Sequence, residues 1–227
     1  MSDPNTTLLT LIKLNHLAGG LFLITAFGLV AMRQVLASLN LFILQSILLA
    51  ASAFLVGYQY STVHLYTVAL ITLGIKSLLI PWLLYRTVGE EIYTRREIIQ
   101  VLNIPMSLLI SAGLAIFAFL LSSHLLSAPG QPFVKFNLPI GIAGLLLGAY
   151  AVVVRREAVP QVIGILSMEN GAFFSGVAIA SDLPLIAELA AAFDVLIIAF
   201  VMGLLTRRIY QRVGTTAVGQ MTSLKEE

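Results

Sequence analysis

Two carboxylates and one ammonium stand in this sequence where charge is least tolerated. Glu169 lies in the apolar run 162–179, Asp194 in the apolar run 183–205, and Lys76 interrupts a third, 63–85. A charged side chain at a bilayer centre costs roughly 2.5–3.5 kcal/mol on insertion scales, so such residues face protein or water and pair with one another. The chemistry open to acids and an ammonium held in that way is the taking up and passing on of a proton or small cation. Glu169, Asp194 and Lys76 are therefore the candidate relay residues.

Their neighbours are of the types such a site needs. Glu169 is flanked by Asn170 and Ser167, which can hydrogen-bond to it or to a partner helix, and by Gly164 and Gly171, which let a second helix come close. Asp194 follows Ala190, Ala191 and Ala192, small residues with the same effect. Glu188 precedes Asp194 by six residues, which on an α-helix turns it about 120° away and nearer the outer surface. It is a candidate acid of an outer vestibule. Lys76 has Ser77 beside it and Thr72 one turn earlier, but a carboxylate on another helix is the stronger partner for an ammonium. The alternative for each charge is a structural pairing that only holds helices together.

The elements that must position these residues follow from composition and length. The chain has 227 residues, of which 59% are hydrophobic and only 11% charged, with a net charge of +2. Soluble domains carry about 25% charged residues, so this is an all-α polytopic membrane protein. About 20 apolar residues span the hydrocarbon, which predicts seven transmembrane helices near 14–32, 39–57, 63–85, 105–126, 138–154, 159–181 and 183–205. The first run has no basic leader and no small-residue cleavage pattern, so it is expected to be a retained helix. Arginines follow the first, third, fifth and seventh helices at Arg33, Arg86, Arg95, Arg96, Arg155, Arg156, Arg207, Arg208 and Arg212, whereas the alternate side carries Lys13 and Lys135. The positive-inside rule then places the N-terminus outside and the C-terminus in the cytoplasm.

The organisation expected is one membrane domain. Residues 1–137 carry four helices and a cytoplasmic segment, 86–104, in which Glu91 and Arg95 at i,i+4 predict a short interfacial helix. Residues 127–137, with Pro129, Gly130 and Pro132, predict an irregular outer loop. Residues 138–208 form a three-helix unit and 209–227 a cytoplasmic tail. The similarity of Ala18-Gly-Gly-Leu to Ala143-Gly-Leu-Leu raises an internal repeat of two parallel three-helix units joined by the fourth helix.

Other chemistries are poorly supported. The chain has no Cys, which excludes thiolate zinc sites, cysteine-ligated iron–sulfur clusters and disulfides within it. His16, His64 and His124 are expected at outer helix ends, none paired on one helix at ligand spacing, so no haem or metal site is expected. No nucleotide loop or catalytic triad is visible, and the arginine clusters suit membrane insertion better than nucleic acid.

The stretch Gln161-Val-Ile-Gly-Ile-Leu-Ser-Met-Glu-Asn-Gly171 resembles the HyfE family, the component E membrane subunit of hydrogenase-4 and formate hydrogenlyase-type complexes. So do Asp194 on a final helix ending Leu205-Thr-Arg-Arg-Ile-Tyr-Gln-Arg212, the tail Thr222-Ser-Leu-Lys225, and Lys76 followed by Leu78-Leu-Ile-Pro81. The last three helices resemble, more distantly, the K subunit of respiratory complex I and the C subunit of multisubunit sodium/proton antiporters. Glu169 stands about one helical turn later relative to Gly164 than the corresponding acid of the K subunit, and the second acid here is Asp194 in place of a Glu.

The resemblance implies a non-catalytic membrane-arm subunit of an energy-converting hydrogenase-like or complex-I-like assembly in the cell inner (cytoplasmic) membrane. Its partners would be antiporter-like membrane subunits, a redox-proximal membrane subunit and peripheral hydrogenase-like subunits. Nickel–iron and iron–sulfur centres would belong to those partners and no cofactor to this chain. Two rival readings remain open. One is a structural linker between antiporter-like subunits, its buried charges serving assembly alone. The other is an independent secondary transporter, although no pair of broken helices is evident.

Overall fold

A computed structural model describes residues 4–93, 98–126 and 132–179. Glu188, Asp194, the predicted span 183–205 and the tail lie outside the described residues. Helix α1 is Pro4–Ala31, α2 Val35–Tyr60 and α3 Val63–Ile71; a π-helical segment, Thr72–Leu79, then continues without a break into α4, Ile80–Tyr93. Then come α5 (Ile104–Leu125), α6 (Pro132–Val154) and α7 (Ala158–Ile179). All regular elements among the described residues are helical. Among the described residues five helices, Thr6–Ala31, Val35–Tyr60, Val63–Arg86, Ile104–Leu125 and Pro132–Val154, are long and apolar enough to cross a membrane.

Local chemistry sets several of the helix ends. Asn103 caps α5 by accepting the Met106 amide at 3.1 Å, with Pro105 in the first turn where its missing N–H costs nothing. Ser61 closes α2 in the left-handed region, φ 53°, and the Thr62 amide returns to the Gly57 carbonyl at 3.1 Å. Gly57 is needed there because a Cβ would lie 2.9 Å from that of Leu65.

Short turns make consecutive helices antiparallel, and two apolar clusters record it. Leu29 and Val30 of α1, Val35, Leu39 and Phe42 of α2, Ile80 and Leu84 of α4, and Val159 to Leu166 of α7 gather at one end. Ala18 and Phe22 of α1, Leu48 to Val56 of α2, Leu65 to Ala69 of α3, and Phe174 and Val177 of α7 gather at the other. The outer surface is apolar too: Ile24, Leu70, Leu78, Leu109, Leu120 and Val153 are all exposed, as lipid-facing positions are in a bilayer.

The closest pairing is α6 with α7, and it rests on glycine. Gly141, Gly144 and Gly148 share one face of α6. A Cβ at Gly148 would strike the Met168 backbone, and one at Gly171 would strike the Leu145 backbone and lie 2.8 Å from the Gly141 carbonyl oxygen. Gly164 meets Val152 in the same way, so both glycines singled out on α7 permit close helix contact. The three on α6 complete the seam.

The structure corrects three local expectations. Residues 132–137 are the first turns of α6 and not loop: Pro132 suits a helix start, and Phe133 and Asn137 are buried against the bundle. The segment expected to form a separate interfacial helix divides instead, with α4 running on to Tyr93 and residues 98–101 extended. There the Ile98 amide donates to Arg33 O at 2.6 Å, Val101 to Val154 O at 2.9 Å, and Arg156 to Ile99 O at 3.2 Å. These bonds satisfy backbone groups at the ends of α1 and α6 that a helix could not reach. His16 sits well inside α1 and not at its end, because α1 begins at Pro4; its ring stacks on Phe136 with centroids 3.9 Å apart.

Candidate functional site

Between the two apolar clusters lies a layer of polar side chains from α2, the π-helical segment and α7. Lys76 is 3% exposed, and its Nζ stands 3.1 Å from Glu169 Oε1. Nζ also donates to Asn170 Oδ1 at 3.2 Å and lies 4.3 Å from the centroid of the Phe173 ring. Asn170 passes the contact to α2, its Nδ2 donating to Ser46 Oγ at 2.9 Å and to Gln45 Oε1 at 3.4 Å. Ser46 in turn donates to the Phe42 carbonyl at 3.0 Å. Asn170, Gln45 and Ser46 are fully buried, whereas the Glu169 side chain keeps 16% of its surface.

The depth of this layer follows from the helices that hold it. Lys76 is thirteen residues into Val63–Arg86 and ten from its end, so it stands about 15–20 Å from either end at 1.5 Å per residue. Its helix hydrogen-bonds in the i→i+5 pattern across Thr72–Leu79, a form that is rare and frequent at functional sites. The carboxylate partner expected for Lys76 is Glu169. Its neighbouring hydroxyl plays no such part, since Ser77 Oγ has no hydrogen-bond partner among the described residues.

Helix α2 carries two more polar rungs on the same face, seven residues to either side of Gln45 and so about 10 Å away. Toward one end, Ser52, Asn15 of α1 and Asn137 of α6 close a buried ring: Asn15 Nδ2 donates to Asn137 Oδ1 at 2.7 Å, Ser52 Oγ to Asn15 Oδ1 at 2.7 Å, and Asn137 Nδ2 to Ser52 Oγ at 3.0 Å. Toward the other, Ser38 accepts from Arg155 at 3.3 Å. Buried Phe42 and Leu49 separate the rungs.

Arg155 is expected from its position to be a cytoplasmic surface charge, yet it is 1% exposed. Its guanidinium donates to the Pro160 carbonyl at 3.1 Å and to the Leu29 carbonyl, so it caps the C-terminal end of α1 and ties it to the α6–α7 turn. Burial lowers its pKa to about 10, which leaves it a cation at neutral pH. Gln100 completes the cap by donating to Val30 O at 3.2 Å.

Thus the structure brings Lys76, Glu169 and Asn170 together and packs Gly164 and Gly171 of the same helix against α6. Gln45, Ser46, the Asn15–Ser52–Asn137 ring and buried Arg155 were missed by the sequence reading. The signal available was the recurrence of Ser38, Gln45 and Ser52 at seven-residue spacing in an otherwise apolar run. No group of three or more His, Asp or Glu residues able to hold a metal occurs among the described residues. A groove of about 650 Å³ between α1, α2 and α3 is lined by apolar side chains, among them Leu17, Ile47, Phe54 and Leu73, together with Tyr66.

A bundle of long apolar helices with a lysine–glutamate pair sealed inside it defines a multi-pass membrane protein that keeps charge away from lipid. Comparison with known proteins then gives the family. The chain is 32% identical over 227 residues, the full length of both proteins, to the uncharacterized protein Rv0085 of Mycobacterium tuberculosis, and belongs to the same family. It is a distant homologue of hydrogenase-4 component E of Escherichia coli K12, with 27% identity over 218 residues, 93% of this chain and 96% of that protein. The same figures hold for hydrogenase-4 component E of Shigella flexneri. No family model and no solved structure matches the chain.

Proposed function

We propose that this chain is a non-catalytic membrane subunit of a hydrogenase-4-like or complex-I-like assembly, in which the Lys76–Glu169 pair serves proton translocation. The observation that carries the reading is that pair, buried at mid-depth and 3.1 Å apart. The likeness to hydrogenase-4 component E supplies the assembly. Moving a proton from Lys76 Nζ to Glu169 Oε1 breaks one N–H bond, forms one O–H bond and leaves a neutral pair, so a charge arriving nearby shifts the proton without large motion. Asp194 is proposed as the second relay acid and Glu188 as an outer acid. The proposed topology has seven spans, with the arginine-rich face in the cytoplasm. Antiporter-like, redox-proximal and peripheral hydrogenase-like subunits are the proposed partners, and they would hold the nickel–iron and iron–sulfur centres.

The deciding experiment measures proton pumping alongside redox turnover in vesicles containing the assembled complex. Glu169→Gln and Asp194→Asn should assemble, because the amides keep volume and much of the hydrogen bonding, and should lose pumping because they cannot ionise. Full coupling in the double variant would leave the linker reading in place of this one.

A further inference from the structure

The hydrogen-bond polarity of the buried layer is not arbitrary, because one member can only donate. An ammonium has three donors and no acceptor. The atom of Asn170 facing Lys76 at 3.2 Å must therefore be Oδ1, which turns Nδ2 toward α2. Nδ2 in turn requires acceptors, and finds Ser46 Oγ at 2.9 Å and Gln45 Oε1 at 3.4 Å. With its oxygen fixed in that direction, Gln45 must aim Nε2 the other way. That nitrogen is fully buried and has no hydrogen-bond partner among the described residues. The orphan donor is thus the last consequence of the charge on Lys76, two side chains away.

We propose that Asn170 and Gln45 form a switchable amide relay that reports the charge of Lys76 on α2, and that Gln45 Nε2 marks a binding position for an oxygen acceptor, a water or a carboxylate. The proposal rests on the Lys76–Glu169 reading above and extends it. When the Nζ proton passes to Glu169 and on to a further acceptor, the lysine is left an amine with two N–H donors, one of them toward the Glu169 carboxylate, and one lone pair that can accept. Asn170 is then free to turn over, with Nδ2 donating to that lone pair and Oδ1 toward α2, where the Ser46 hydroxyl exchanges its bond to the Phe42 carbonyl for one to Oδ1. Gln45 turns over in response, so that Nε2 donates to Asn170 and Oε1 faces the position that Nε2 had held. Beyond the departure of that one proton no covalent bond changes. The far end of the relay converts from donor to acceptor. Among the described residues, the charged group facing Lys76 is Glu169 on α7; α7 otherwise offers Asn170 and Phe173, and α2 the neutral Gln45 and Ser46. The polarity of the layer thus follows the ion pair.

The test is solid-state NMR on the full chain in lipid bilayers, with nitrogen-15 in glutamine side chains and the Gln45 signal identified by its loss in Gln45→Met. Lys76→Met should shift the Gln45 Nε2 resonance although Lys76 and Gln45 are not bonded to each other. In an Asn170→Leu background the same substitution should leave it unmoved. Magnetisation transfer to the Gln45 amide from water protons identifies water as the acceptor, and transfer to labelled carboxylate carbon identifies an acid. A Gln45 resonance unmoved by Lys76→Met, or one that still moves without Asn170, overturns the relay. Glu169→Gln provides a second probe that keeps both amides and the lysine, and its failure to shift Gln45 overturns the relay equally. None of these signals depends on pumping, so undiminished pumping in Glu169→Gln would overturn the proposed function while the relay stood or fell by its own measurement.

Discussion

The coupling between Lys76 and Glu169 can be measured as an energy, and the geometry sets its size. At 3.1 Å and an effective dielectric of about 20, opposite unit charges attract by about 5 kcal/mol, a ceiling from which lost solvation must be subtracted. Lys76→Met removes the ammonium and leaves Glu169 and Asn170 facing a thioether. Removing one partner of a buried pair costs about 3–5 kcal/mol, and we place this variant near the lower end because the Glu169 side chain keeps 16% exposure. Glu169→Gln leaves Lys76 held by Asn170, Phe173 and an amide oxygen, and should cost about 2 kcal/mol, the scale of one hydrogen bond to a charged group. The double variant carries no unpaired charge and should be less destabilised than the sum of the two by about 2–3 kcal/mol, the upper range for residues in contact. The assay is reversible unfolding of the full chain in bicelles, with the four proteins compared under one condition. Effects that add to within about 0.5 kcal/mol would refute the pair as an energetic unit.

Two further predictions concern packing and topology. Gly171→Val should separate α6 from α7, since its side chain meets the Leu145 backbone and no rotamer relieves it, whereas Gly113→Ala meets nothing within 4 Å and should change stability by less than about 0.5 kcal/mol; thermal unfolding of the two compared with wild type checks this. Single cysteines replacing Lys135 and Arg156, both exposed, should react with a membrane-impermeant thiol reagent from opposite sides, Lys135→Cys from outside and Arg156→Cys from the cytoplasm; labelling of both from one side would overturn the orientation.

What the sequence discloses of this fold is what a bilayer makes unavoidable. Helices of the described region cover the apolar runs, because a backbone in hydrocarbon must bond to itself, although α1 starts ten residues before its run and α4 continues eight beyond its own. Where the expectation fails, the cause is polar or tertiary. Residues 132–137 look like loop by their proline, yet the same proline is tolerated in a helical first turn. Residues 98–101 look like an amphipathic helix, but the carbonyl of Arg33 and the backbone at 154–156 offer them edge bonding instead. Arg155 was assigned to the cytoplasmic face by a rule about charge and loops. That rule gives the side of the membrane and not the burial, which the open carbonyls of Leu29 and Pro160 decide.

The candidate site was legible in its charges and illegible in its neutral members, and the difference is energetic. Lys76 and Glu169 stand out because an unpaired charge in an apolar helix is costly enough to demand a reason. Gln45, Ser46 and Ser52 do not, since a single amide or hydroxyl in such a helix costs little and can bond back to its own turn, as Ser46 does to Phe42. The seven-residue recurrence of Ser38, Gln45 and Ser52 is what sets them apart from scattered serines. It keeps three polar groups on one face of α2 against three different partners, Arg155, Asn170 and the Asn15–Asn137 pair. A helix that only filled space would gain by replacing all three with leucine. Instead each rung ties α2 to a different neighbour, Ser38 to Arg155 just past α6, Gln45 to Asn170 of α7, and Ser52 to Asn15 of α1 and Asn137 of α6, so α2 is the helix to which the central pair and both outer rungs are joined.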